Sequence, residues 1–185
     1  MTAQKLPVFP NWFPYNDMLL DGHMKVDGHE GVKSRCWEWN YRGPVLLYNS
    51  LRTAKPAVKA YDYTNSSENH KVIVGVGELV EVRGFTVDEA AQMLANFNNI
   101  SLDKIKIALR NIKRKMPSYR PEEIIYNFFQ FGPYIAPFRT GFFFKNLRRF
   151  DKPVSFNWPA GPIKPIFTQV VPGSELGKQL KRAGF

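Results

Sequence analysis

Lys33, Arg35, Trp37 and Trp39 stand two apart in the run Val32-Lys33-Ser34-Arg35-Cys36-Trp37-Glu38-Trp39. On an extended chain side chains alternate, so these four share one side. Two cations and two indoles in a row can fork onto phosphate and stack on a base. The same row as a core face would need buried partners for both charges. Tyr41 continues the alternation, and at least one of the three rings is expected in the core. Val32, Ser34, Cys36 and Glu38 are expected on the opposite side. Arg42, in Tyr41-Arg42-Gly43-Pro44, reads as a turn residue bonding loop carbonyls.

A second chemistry needs acid–base groups. Glu30, Lys33 and Glu78 are the candidates, if the protein is an enzyme and the three meet in one cleft. Glu30 and Glu78 could also orient the Arg35 guanidinium. A further basic set, Lys106, Arg110, Lys113 and Arg114, steps by helical spacings onto one face, and Asp103 alone opposes it locally. Like charges this dense disfavour a helix unless an anion meets them. His23, His29, His70 and Cys36 match no standard zinc spacing, so no metal is expected. Phosphate-loop, zinc-protease and serine-hydrolase motifs are missing, and no cofactor is expected.

The elements that must position these residues are partly legible. A strand is expected over 32–39, a turn at 42–44 and a buried strand over 45–49. Residues 6–14 hold three prolines and are expected as an extended arm, with a short helix over 15–20 and a glycine-rich loop over 21–31. Residues 51–70 read as polar and turn-rich. Val72, Val74 and Val76 mark a strand over 71–83 whose Gly75 and Gly77 signal a bulge or barrel corner. Thr86 and Glu89 form a capping box for a helix. Leu102, Ile105, Leu109, Ile112 and Met116 carry helical periodicity behind Ser101. Pro121 to Gly132 reads as a third helix. Strands return at 141–144 and 166–171, and 174–182 reads as a basic helix. Strands, then helices, then strands imply an α+β or barrel fold.

The 185 residues are expected to form a single domain, with a helical insert about 86–132. One cysteine, no apolar run of membrane-spanning length and no signal-like start point to a soluble cytoplasmic protein without a membrane partner. The formal charge is +10, and residues 101–185 carry all of it, since residues 1–100 hold one more acid than base. A one-sided field of this kind attracts polyanions.

Residues 28–44, Gly-His-Glu-Gly-Val-Lys-Ser-Arg-Cys-Trp-Glu-Trp-Asn-Tyr-Arg-Gly-Pro, followed by Val45-Leu46-Leu47, resemble the signature of ASCH domains. Gly75 to Val82 resembles that family's central strand, and Phe144 to Pro153 its late strand. The resemblance covers about 28–83 and 141–171. It implies a PUA-like small β-barrel with a cleft and an association with RNA or nucleotides. One activity in the family removes an acyl group from a modified cytidine, using a Lys, a Thr and a Glu. Aligned on Gly28 and Arg35, that Lys position falls on Glu30 and the Thr position on Lys33.

Three readings follow. The first is binding of nucleic acid, RNA above all, or of a nucleotide or nucleoside. It uses a basic, aromatic-lined cleft of Lys33, Arg35, Trp37 and Trp39, with Lys106, Arg110, Lys113 and Arg114 beside it. The second is a hydrolase acting on a modified nucleobase, a nucleoside or RNA, through Glu30, Lys33 and Glu78. A third is a protein-interaction domain docking through the helical insert.

Overall fold

The computed structural model describes residues 3–118, 140–159 and 164–185. The third helix expected from Pro121 to Gly132 lies outside the described residues.

Six strands form one sheet. They are β1 (Gln4–Phe13), β2 (Gly31–Arg35), β3 (Gly43–Thr53), β4 (Val72–Gly84), β5 (Thr140–Ser155) and β6 (Ile166–Val170). Their order is β2-β5-β4-β3-β1-β6, antiparallel except for the parallel pair β1–β3. The α+β expectation holds. The expected closed barrel is corrected: the described strands form an open sheet, with β2 and β6 at its edges.

The sheet nonetheless folds back on itself. Arg35, on the β2 edge, donates from Nη2 to the Pro10 carbonyl on β1, 3.0 Å away, although three strands stand between them in the sheet order. A side chain thus bridges where a barrel would have a ladder. The bends that permit this sit in β4 and β5. Their register shifts between Ile73 and Gly75, between Val76 and Glu78, and between Leu79 and Glu81. Gly75 and Gly77 fall in this region, as the bulge reading expected. A Cβ on Gly75 would stand 2.5 Å from the Arg148 carbonyl oxygen, so a side chain there would collide with the neighbouring backbone.

The proline-rich start is corrected as well. It forms β1, an interior strand. Prolines are tolerated there because β1 pairs with β6 over Gln4–Val8 and with β3 over Val8–Phe13. Pro7 and Pro10 therefore each face a ladder on one side only, and a missing N–H costs least in that setting.

Alternation along the strands builds two apolar faces. Phe142 and Phe144 point into one core with Phe9, Leu47 and Met18, while Phe143 points into another with Val32, Ala90 and Met93. All three phenylalanines are fully buried, and each contributes roughly 1.5–3 kcal/mol. A third core, holding Leu46, Tyr48 and Ile73, is closed by Leu176 and Leu180 of the C-terminal helix.

Five helices complete the described residues. Helix α1 is Tyr15–Leu20, and α2 (Lys55–Tyr61) occupies a segment expected as turns. Helix α3 is Val87–Asn98, entered through the Thr86–Glu89 capping box with both hydrogen bonds present. Helix α4 is Leu102–Lys115 and α5 is Glu175–Arg182. Leu102, Ile105 and Leu109 lay the α4 stripe on the core beneath α3. That leaves the basic face of α4 exposed.

Candidate functional site

Strand β2 ends at Arg35 and does not reach residue 39 as expected. Lys33 and Arg35 still share its inner face, since Lys33 lies in register with Phe142, which belongs to that core. Cys36 and Glu38, expected opposite, are exposed on the segment that leaves the strand, and Cys36 does not face the core.

Lys33 is 4% exposed. Its Nζ lies 3.3 Å from the centre of the Tyr15 ring and 5.2 Å from that of Phe97. Tyr15 is delivered by α1 and Phe97 by the end of α3, and their rings meet edge to face at 5.5 Å. Lys33 forms no hydrogen bond and no ion pair among the described residues. Burial, reinforced by the Arg35 charge, holds its pKa well below the ordinary lysine value.

The Arg35 guanidinium lies 4.6 Å from the Phe9 ring centre. It donates to the Ser34 and Pro10 carbonyls and to Asn11 Oδ1. All three acceptors are neutral, so the charge meets no carboxylate among the described residues. The orienting role expected for Glu30 and Glu78 is thereby corrected. Burial lowers the Arg35 pKa to about 10, which leaves the group charged at neutral pH.

Arg35 also starts a relay. Its donation to Asn11 Oδ1 leaves Asn11 Nδ2 to donate to Asn16 Oδ1. Asn16 Nδ2 is then a buried donor without a partner among the described residues, on a residue 0% exposed. Arg35 itself keeps Nε–H and one Nη1–H without acceptors among the described residues. The sequence reading missed Asn11 and Asn16, because nothing local marks a contact 24 residues away in the chain.

The rings continue the wall. Trp37 meets Phe142 at 4.9 Å, and Trp39 stacks on Tyr41 at 4.9 Å with planes 24° apart. Trp37, Trp39 and Tyr41 are half-buried against the same core. Arg42 donates to the Trp39, Tyr41 and Val82 carbonyls, as its turn reading expected.

The structure does not bring the acid–base trio into contact. Glu30 Oε2 accepts from the Leu147 backbone N–H at 3.0 Å, and Glu78 Oε2 accepts from Asn146 Nδ2 at 2.7 Å. Both carboxylates hold the turn of β5 at Asn146, whose φ is 49°. Lys33 contacts rings instead.

On α4, Lys106, Arg110, Lys113 and Arg114 are exposed. Among the described residues no ion pair holds Lys106, Arg110 or Arg114. His23 packs on Tyr61, His29 faces Glu81 and His70 contacts Asn65. A polar cavity of about 430 Å³ lies between α3 and the loop at 22–27, lined by Lys25, Asp27 and Asn96 among others. It contains none of the candidate binding or catalytic residues, only His23 of the histidines weighed above, and its Lys25 and Asp27 charges oppose each other. Lys33 and Arg35 hold their charge against the core with no carboxylate beside it among the described residues. No described helix is long and apolar enough to cross a membrane.

No family model matches the chain, and no curated protein matches it. Solved structures similar to it are ASCH proteins. The ASCH protein of Zymomonas mobilis shares 12% identity, over 95% of this chain and 93% of that one, with a TM-score of 0.43. A Ser-to-Ala variant of it shares 11% identity over 95% and 94% of the two chains, at 0.44. A Tyr-to-Phe variant shares 11% over 96% and 98%, at 0.41.

Proposed function

We propose that the chain binds RNA or a nucleotide, with a phosphate at Lys33 and Arg35 and a base against the Trp37–Trp39–Tyr41 wall. The observation that carries this reading is the cation pair. Two basic side chains, adjacent on one face and largely buried, meet no carboxylate among the described residues. Burial of uncompensated charge is costly, and a bound anion offsets it. The groups left over around the pair are donors, namely Lys33 Nζ, the remaining Arg35 N–H groups and Asn16 Nδ2. Oxygens of a phosphate accept and never donate when ionised, so they complement such a set. The stacked Trp39–Tyr41 pair offers ring faces of the kind that hold unpaired bases. The exposed cations of α4 supply a second, sequence-independent attraction for the backbone.

The test is a titration of the full chain with single-stranded RNA and with nucleoside monophosphates, followed by tryptophan fluorescence. The reading expects a saturable signal that shrinks in Arg35→Gln and in Trp39→Phe. No signal with either ligand class would remove it.

One observation favours hydrolysis as a second reading. The depressed Lys33 pKa gives a larger share of neutral amine, which could take a proton from an attacking water. In that case Lys33→Met abolishes turnover of an acylated cytidine while the protein stays folded. Absence of turnover in the unmutated chain would end that reading and leave binding alone.

A further inference from the structure

We propose that the group seated at Lys33 and Arg35 is a terminal phosphomonoester, the phosphorylated end of an RNA or of a nucleotide, and not a phosphodiester inside a strand. The inference rests on the binding reading above and narrows its ligand.

Access is the first argument. Lys33 is 4% exposed, covered by Tyr15 from α1 and Phe97 from α3. Behind it β2 is paired to β5 along its whole length, with Lys33 opposite Phe142, which is fully buried. An internal phosphate carries a nucleoside on each side, so its chain must both enter and leave. A site walled by α1, α3 and β5 suits a chain that enters and stops.

Charge is the second argument. An internal diester carries one negative charge, and Arg35 alone balances it. A monoester approaches two negative charges at neutral pH, its second pKa being about 6. The pair offers two positive charges once Lys33 is protonated, and a neighbouring dianion favours that protonation. The full complement of the pair is therefore reached only with a monoester.

Donor count is the third. A monoester presents three terminal oxygens and a diester two free ones. Lys33 Nζ, the unused Nε–H and Nη1–H of Arg35, and the buried Asn16 Nδ2 all lack acceptors among the described residues. Asn16 is tied to the same site, because Arg35 fixes Asn11 and Asn11 fixes Asn16. Among the described residues two other buried polar atoms lack partners, Asn49 Oδ1 and Ser50 Oγ. They belong to β3, where Asn49 is turned toward Asp17.

The experiment compares one short single-stranded RNA in three forms: a 5′-phosphate, a 3′-phosphate and hydroxyls at both ends. Each is titrated into the full chain and into Lys33→Met at one salt concentration. One phosphorylated form is expected to bind about tenfold or more tightly than the hydroxyl form. That advantage disappears in Lys33→Met, whose thermal midpoint is recorded on the same sample to show that it is folded. Equal affinity of all three forms overturns the inference and leaves the binding reading standing. An advantage that survives in Lys33→Met also overturns it. If no RNA form binds, nucleoside monophosphates decide. Binding to the unmutated chain and not to Lys33→Met retains the terminal-phosphate assignment without RNA, and no binding overturns both.

Discussion

Lys33 Nζ sits 3.3 Å above the Tyr15 ring, with no carboxylate beside it among the described residues. A cation–π contact offsets part of the desolvation of an ammonium, on the order of 2 kcal/mol when water is excluded. It does not replace a counter-ion, and burial together with the Arg35 charge lowers the Lys33 pKa. The position is tuned against stability, which gives it a measurable signature.

Lys33→Met keeps the length of the side chain and removes the charge. The variant is expected to be more stable than the unmutated chain at pH 7, by about 1–3 kcal/mol. The pH dependence has a definite sign. The folded pKa is lowered from 10.5, so between the two values the unfolded chain holds more protons and stability rises with pH. The gap between variant and unmutated chain therefore narrows as pH climbs toward 10.5. Chemical denaturation of both proteins across that range checks it; a gap independent of pH would show that Lys33 pays no charge penalty.

At Glu89 stability also rises with pH, but there the charged form stabilises the fold. Its carboxylate is held at about 2, chiefly by hydrogen bonds from Arg83, at 2.8 Å to each oxygen, and further by the Thr86 backbone N–H. A lowered carboxylate pKa stabilises the fold above the unfolded value of 4.5, and that contribution is lost as pH falls toward 2. Glu89→Gln should cost on the order of 2 kcal/mol at pH 7 and much less near pH 2. Thermal midpoints at the two pH values read the difference.

Trp39 and Trp37 should separate. Trp39 stacks on half-buried Tyr41, whereas Trp37 is wedged on Phe142 and within reach of Phe9. Trp39→Ala is expected to cost about 1–3 kcal/mol of ligand binding with a small loss of stability. Trp37→Ala is expected to cost the fold roughly 3 kcal/mol. Equal effects on both measurements would deny the two rings different work.

The α4 face makes a salt prediction. Charge reversal of Lys106, Arg110 and Lys113 to Glu should weaken RNA binding and flatten its salt dependence. With about 0.7 counterions released per single-strand phosphate, losing three contacts lowers the log–log slope by about 2. An unchanged slope would remove α4 from the interface.

How far the sequence discloses this arrangement differs by element. Local chemistry is legible: the Thr86–Glu89 box and the stripe from Leu102 to Ile112 each signal a helix within a few residues, and both helices form. Lys33 and Arg35 fall on one face because alternation needs only a short strand. Non-local facts are not legible. Prolines at 7 and 10 read against an interior strand, and only the offset pairing of β1 with β3 and β6 shows why they are tolerated. The burial of Lys33 depends on Tyr15 and Phe97, and the Asn11–Asn16 relay on Arg35 crossing to β1. That the described sheet stays open is likewise not legible, since Gly75 and Gly77 mark an irregularity in β4 without giving its extent.

The central claim is that the Lys33–Arg35 pair exists for a bound anion. Its most direct measurement is the affinity of Lys33→Met, beside the unmutated chain, for a short single-stranded RNA phosphorylated at both ends, with thermal midpoints recorded on the same samples. The account predicts opposite movements: affinity falls by about tenfold or more while the midpoint holds or rises. An unchanged affinity in a folded Lys33→Met protein would contradict it.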